Sequence, residues 1–437
     1  MKNPLVWGFL CEALTNHPGA AENAAVAGKE GGSLASLREL NRKRVVGALE
    51  ELGVASRADV ARRTGLTPST VSTLVTELDE AGLIVERDDA PGEDASLRGG
   101  RPPRLIALSR AAGVAVGIDF GKQHLAVVAC DRSHQVLAET SRRMPDGYDA
   151  GRGMDEATGL LGDVLDQAKV DRDEVIGVGL GMPGPIHLAT GKVGSSAILP
   201  GWVGVSVAED MGERLRLPVH VDNDANLGAL AELHWGAGKG CETLVYLKVA
   251  TGIGAGLVVF GRLFRGAGGT AGEIGHTIID ESGSICRCGS RGCLETVAGI
   301  PAIVGLLKPT FGEDLTVEGV LERASEGDAA SCRAIAAAGT HVGNALANLC
   351  NLLNPSRIVV GGTLAAARDV LLEPMRAAAQ GRAIPSAGED VEIVAGVLGD
   401  RAEVLGAVAL VLYETEGAAS APPLDQACQN KERRDRT

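Results

Sequence analysis

The chain has 437 residues, 45% hydrophobic and 22% charged, with 3% aromatics, 60 glycines and a formal net charge of −14. That is the composition of a soluble globular protein of two to three domains with cores of alanine, valine and leucine, and no run is long and apolar enough to span a membrane. The acidic balance excludes unspecific coating of nucleic acid but leaves room for a small DNA-reading module, where local positive charge is what counts.

Residues 1–32, rich in Ala and Gly without sustained periodicity, are expected to be a disordered leader. Their opening, MKNPLVWGFLCEALT, carries one lysine and a short apolar patch that could pass for a signal peptide. The DNA-binding pattern that follows, and thiols that need a reducing compartment, favour a cytoplasmic protein with a leader or an upstream start codon chosen in error.

From Ser33 the apolar residues Leu37, Leu40, Val45, Leu49 and Leu52 recur at helical spacing, beside the basic group Arg42, Lys43 and Arg44. Gly53 ends that helix, and Ser56 is a good N-cap for the next, which opens at Arg57, itself a candidate DNA contact. After Gly65 a third helix starts near Thr67 or Pro68, with Val71, Leu74, Leu78 and Leu83 facing inward. This is a helix-turn-helix whose recognition helix opens with Pro68, Ser69, Thr70, Ser72 and Thr73, small residues that can approach base edges and phosphates closely. A plain three-helix bundle for protein contacts is the competing reading. The sequel, IVERDDAPGEDASLRGGRPPRLIAL, argues against it: two short strands round a charged loop make a wing, with Arg98, Arg101 and Arg104 in or beside a stiff GGRP tip that could enter the minor groove. A winged helix-turn-helix is therefore expected over 33–110.

The next region opens with VAVGIDFGKQHLAVVACD, Val114 to Asp131, two strands joined by a Gly-containing turn. An amphipathic segment, about Asp155 to Val170, leads to a buried strand and Gly/Pro loop, VIGVGLGMPGPIHLATG. The strand LPVHVD then runs into Asn223-Asp224-Ala225-Asn226, which opens a helix; the bland reading of Asp224 is a helix N-cap, a role that would also orient its carboxylate. TLVYLKVATGIGAGLVVF reads as strand, Gly-rich turn, strand.

The stretch from Gly266 to Glu295 gathers His276, Cys286, Cys288 and Cys293 closely enough for one ion, with Gly289 and Gly292 allowing tight turns round it. A structural zinc site is the reading. Three free core cysteines fit poorly in a polar Gly/Arg/Ser segment, and a disulfide fits poorly with an odd cluster lacking a convincing export signal. Glu273 and Glu295 flank the same loop, and with His276 they form a rim suited to sugar hydroxyls, although either glutamate alone would read as a solvated surface carboxylate. A helical stretch follows from about Ile300 to Leu353, where Gly339 and Gly343 permit close packing. A strand ending in Gly361-Gly362, the strand VEIVAG and a helix from about Arg401 come next. The tail, 415–437, is expected to be disordered.

GEIGH followed by CRCGSRGCLE resembles the ROK family of sugar kinases and sugar-responsive repressors, and the likeness runs from about Val114 to about Leu412. The resemblance implies an α/β, two-lobed actin-like ATPase fold over 111–414. It implies zinc on His276, Cys286, Cys288 and Cys293, and sugar on Asn223, Asp224, Glu273, His276 and Glu295. In the family's kinases the counterpart of Asp224 is the general base, and the counterparts of Asp119, Gly121, Thr251, Gly252, Gly254, Gly361 and Gly362 serve ATP and its Mg²⁺. The chain departs from that pattern twice. Lys122-Gln123-His124 stands for the G-T-K of the first phosphate loop, and Ile198 stands for a sugar-contacting asparagine. ROK repressors carry an N-terminal winged helix that ROK kinases lack. The expected protein is a sugar-responsive transcriptional regulator, a repressor, acting as a homodimer or homotetramer on palindromic double-stranded operator DNA, with a sugar effector and no membrane contact. The alternative is an ATP-dependent sugar kinase with an accessory DNA-binding domain.

Overall fold

Helix α1 (Leu34–Leu52) ends at Gly53, whose φ of 68° a side chain would strain, and strand β1 (Val54–Ser56) leads into α2 (Arg57–Thr64). The computed structural model describes residues 34–87, 104–109, 113–187, 190–194 and 198–414. The expected leader and tail, and the wing residues Arg98 and Arg101, lie outside them. Ser56 caps α2 as expected, in a reciprocal box with Asp59. Helix α3 (Pro68–Glu80) has Thr67 as N-cap and proline in its first turn, and β2 (Ile84–Arg87) pairs antiparallel with β3 (Leu105–Leu108) at the base of the wing. Val45, Leu49, Val60, Val71, Leu74 and Leu78 close the core of this domain. Leu40 and Leu52, expected inside, are 55% and 41% exposed, because α1 turns only its Val45, Ala48 and Leu49 face towards α2 and α3.

The rest of the chain builds one topology twice. In the first lobe β4 (Val114–Phe120), β5 (His124–Asp131) and β6 (Val136–Arg143) form an antiparallel meander; α4 (Ala150–Ala168) packs on it, and β7 (Val175–Met182) lies parallel to β4. A short ribbon of β8 (Ile186–His187) and β9 (Lys192–Val193), then α5 (Val207–Leu215), leads to β10 (Val219–Asn223), parallel to β7. Helix α6 (Asp224–Trp235) crosses to the second lobe. There β11 (Leu244–Val249), β12 (Ile253–Val259) and β13 (Arg262–Leu263) repeat the meander, followed by the single turn α7 (Glu295–Ala298), α8 (Ile300–Phe311), α9 (Val317–Ser325) and α10 (Ala329–Leu353). Strand β14 (Arg357–Gly361), α11 (Asp369–Arg382), the turn α12 (Pro385–Gly388) and β15 (Glu392–Ala395) complete a second parallel edge, and α13 (Ala402–Ala409) returns to the first lobe. The sheet orders are β10-β7-β4-β5-β6 and β13-β12-β11-β14-β15.

The helical stretch expected between Ile300 and Leu353 is three helices, because Gly312 and Gly327 take φ of 101° and 85° and stop the first two. Gly339 and Gly343 pack as expected: a Cβ on either would sit 2.3 Å from a carbonyl oxygen of α11. Between the lobes α13 lies on β4 and β7 while α6 lies on β11 and β12, and the two helices pack on each other. No described helix is long and apolar enough to cross a membrane.

Candidate functional site

Strand periodicity decides which side chains meet between the lobes. On β11, Val245, Leu247 and Val249 face the outer core of the second lobe, which turns Leu244, Tyr246 and Lys248 towards α6 and α13. On β4 the same alternation turns Ala115 and Asp119 towards α13. The result is a cleft of about 1340 Å³ between the lobes, lined by the first turn of α6, both glycine loops and the cysteine loop.

At its centre Lys248 Nζ donates to Asp224 Oδ2 at 2.9 Å and stands 3.0 Å from Glu403 Oε1. Burial alone would push this ammonium's pKa down, but Asp224, Glu403 and Asp119 raise it well above the usual lysine value, so it is charged. Asn223, rather than Asp224, is the N-cap of α6. Its side chain accepts from the Ala225 N–H at 2.9 Å while its amide donates to the Gly184 carbonyl, and Asp224, the first helical residue, accepts from the same N–H through Oδ1 at 2.8 Å and turns Oδ2 towards Lys248. Asp222, held by Arg265 and Asn226 at 2.7 Å each, steadies the same helix start.

Both glycine loops are covered by the chain's own side chains. The His124 ring lies over Gly121, where a Cβ would come within 1.9 Å of it, and Nε2 bonds Asp119 Oδ2 at 2.7 Å. Burial pushes the Asp119 carboxyl up, but the His124 bond and charge prevail and hold it below the usual range; His124 is raised in turn. Over Gly252 lies the guanidinium of Arg287, 2.7 Å from where a Cβ would be, and it is paired with both oxygens of Glu295 at 2.9 and 2.7 Å. Thr251, Gly254, Gly362 and Ile198 also line the cleft. Gly361, expected at the nucleotide, packs its Cα against Tyr246, whose hydroxyl would be 2.1 Å from a Cβ there.

On the cysteine loop Gly289 and Gly292 have φ of 91° and 71°, the tight turns expected of them. His276 Nδ1, Cys286, Cys288 and Cys293 bring four donors within 4.8 Å of one another, with Nδ1 to Cys286 Sγ 3.6 Å and Cys288 to Cys293 3.7 Å. Tetrahedral donors about 2.0–2.3 Å from one ion stand about 3.4–3.8 Å apart, so the cluster can hold a metal. Its other side faces the cleft: His276 Nε2 lies 3.9 Å from Glu273 and Nδ1 lies 3.8 Å from Glu295. Burial raises the Glu273 carboxyl.

On the winged helix, Pro68, Ser69 and Thr73 are exposed and Thr70, Ser72 and Arg57 half-exposed. The Thr67 hydroxyl lies 2.9 Å from those of Ser69 and Thr70, and the hydroxyls of Thr73 and Thr76 donate to helix carbonyls. Arg104 is tied at 3.0 Å to Glu86 at the root of the wing rather than at its tip.

A model of the ROK family matches residues 115–414. The chain belongs to the ROK family. A MarR family model matches residues 39–93, the winged helix. The xylose repressor of Caldicellulosiruptor bescii is 30% identical over 391 residues, 86% of this chain and 96% of its own. A glucokinase of Halalkalibacterium halodurans is 37% identical over 250 residues, 54% of this chain and 76% of its own. A solved ROK family transcriptional regulator, described as a homologue of the E. coli MLC protein, superposes with a TM-score of 0.70 at 25% identity, covering 86% of this chain and 97% of that one. A winged helix joined to a ROK body makes this ROK protein a sugar-responsive transcriptional repressor.

Lys248, Glu403 and Arg287 were not among the site residues expected from sequence. Lys248 left a trace, a lone charge in the otherwise apolar strand TLVYLKVA; Glu403 and Arg287 left none.

Proposed function

We propose that the interlobe cleft binds a monosaccharide through Asp224, Glu273, His276 and Glu295, and that sugar occupancy changes the grip of the winged helix on a palindromic operator bound by a homodimer. The observation that carries this reading is the abutment of the four-donor cluster on Glu273 and Glu295, so that one metal would fix both carboxylates and the imidazole at the cleft wall. All-S/N donors at tetrahedral spacing suit zinc, held by His276, Cys286, Cys288 and Cys293 as a structural ion. Asn223, the cap of α6, also lines the cleft and keeps one amide hydrogen and one oxygen lone pair for a sugar hydroxyl. Ile198 in the cleft removes one polar partner and favours a sugar lacking the matching hydroxyl. Pentoses are therefore leading candidates, in keeping with the xylose repressor likeness.

The kinase alternative draws on Asp224 and the glycine loops. Against it stand His124 over Gly121 and Arg287 over Gly252, which fill the surfaces a triphosphate would need. Coupling follows linkage: a sugar that prefers the form with its DNA-binding heads misplaced weakens operator binding by the factor by which DNA weakens sugar binding. Calorimetric titration of the zinc-loaded protein with xylose, glucose, N-acetylglucosamine and their phosphates, followed by operator shift with the best binder, tests the reading. One strong binder that alters operator affinity is expected. ATP-dependent phosphorylation of any of these sugars at an ordinary kinase rate would overturn it.

A further inference from the structure

Three chain segments meet at one ammonium, and the charge of a fourth bears on it. Lys248 comes from β11 of the second lobe, Asp224 from the start of α6, Glu403 from α13 and Asp119 from the end of β4 in the first lobe. Lys248 is 18% exposed, Asp224 17% and Glu403 7% at their side chains, so water screens these charges weakly. Tyr246, on the same face of β11, adds its hydroxyl to Glu403 Oε1 at 3.4 Å. Carboxylates gathered in a half-buried cleft need a counter-charge, and in oxygen-rich sites that charge is commonly a divalent cation. Here it is supplied by the chain. A magnesium ion needs near-octahedral oxygen ligands at about 2.0–2.1 Å, yet Asp224 Oδ2 and Glu403 Oε1 already face an ammonium about 3 Å away that would repel it.

We propose that Lys248 is the resident cation of this cleft: it positions Asp224 and Glu403 in place of a divalent metal and thereby makes the cleft a metal-free, nucleotide-free sugar site. The Mg²⁺–ATP that the fold's kinases use does not fit the residues present. The proposal builds on the sugar-site reading, but its principal test does not need a sugar. Lys248 is a positioning residue, because it acts on the ligand through Asp224.

The test uses the full-length zinc-loaded protein, its Lys248→Met and Lys248→Arg variants, and MnCl₂, MgCl₂ and Mg–AMPPNP as probes. The parent should bind neither Mn²⁺ at this cleft, by electron paramagnetic resonance, nor Mg–AMPPNP by calorimetry, and its melting temperature should not respond to millimolar Mg²⁺. Lys248→Met should melt several degrees lower in metal-free buffer, take up Mn²⁺ at least about tenfold more tightly than the parent, and recover stability with Mg²⁺. Lys248→Arg should behave as the parent. Mg–AMPPNP binding to the parent, or a folded Lys248→Met with no gain in Mn²⁺ affinity and no recovery in Mg²⁺, would overturn the proposal. If Lys248→Met folds only when prepared with Mg²⁺, the proposal stands; if it folds in neither buffer while Lys248→Arg behaves as the parent, a charge is needed that a metal cannot replace, and the proposal falls. Sugar titration is scored separately, so a parent that binds no sugar removes the sugar-site reading and leaves the cation result intact.

Discussion

Replacing Gly406 by alanine would place a methyl carbon 1.9 Å from the Leu227 carbonyl oxygen and 2.7 Å from its Cα, where α13 crosses α6. Neither neighbour is a flexible side-chain tip. To reach an acceptable contact of 3.0–3.4 Å the helices must move apart by about 1.1–1.5 Å. Overpacking against backbone costs about 3 kcal/mol, offset by about 1 kcal/mol from replacing a helical glycine, which leaves a net loss of about 2 kcal/mol. Gly159 in α4 is the control: it is exposed and nothing lies within 4 Å of where a Cβ would be, so Gly159→Ala should stabilise by about 0.5–1 kcal/mol. The two variants should thus differ by about 3 kcal/mol in urea unfolding followed by the emission of Trp202 and Trp235. The same displacement separates Asp224 on α6 from Glu403 on α13, both of which meet Lys248, so sugar affinity should fall in Gly406→Ala and not in Gly159→Ala. A Gly406→Ala protein as stable as Gly159→Ala would refute the account of how these helices position the cleft.

Ser56→Ala removes the capping box of α2 and should cost the winged helix about 1 kcal/mol, read by thermal melting. Hydrogen bonding from the Ser56 hydroxyl holds the Asp59 carboxyl below its ordinary value. That contribution is complete above about pH 4 and is lost as pH falls through the depressed folded value, so the variant should also show a weaker acid response. Burial pushes the His234 imidazole down to about 4, where it stacks on Tyr413 at 3.7 Å. The unfolded chain therefore binds the proton first, and stability should fall by at most about 3 kcal/mol as pH drops from about 6.5 towards 4; a His234→Phe body whose melting shows the same pH slope would contradict this. Cys288→Ser should lower bound zinc below one ion per chain by atomic absorption and abolish the sugar response, and normal induction without metal would count against the zinc reading. Arg101→Ala should weaken operator binding in shift assays with sugar affinity unchanged, and equal loss of both would remove the wing from the DNA contact.

What the sequence made legible was what is encoded over short spans. The cap at Ser56, the stop at Gly53 and the proline start of α3 each depend on a few neighbouring residues, and all three stand where the pattern places them. The donor cluster was legible for the same reason: His276 to Cys293 is one loop, and its glycines announce the turns that close it. Local signals were ambiguous where two neighbours could take the same job, as Asn223 and Asp224 could at the start of α6, where Asn223 is the cap. They misled where a helix has two apolar faces and only one is buried, as with Leu40 and Leu52.

The character of the cleft was settled elsewhere. Asp119, Asp224, Lys248 and Glu403 lie on four elements, and no spacing in the chain connects them. The alternation of β4 and β11 turns two of them inward, and the close crossing of α6 and α13 brings the others to the same ammonium. A strand's period fixes which face a side chain takes, which sequence can give; what stands opposite that face depends on how the two lobes pack, and only the tertiary structure decides it.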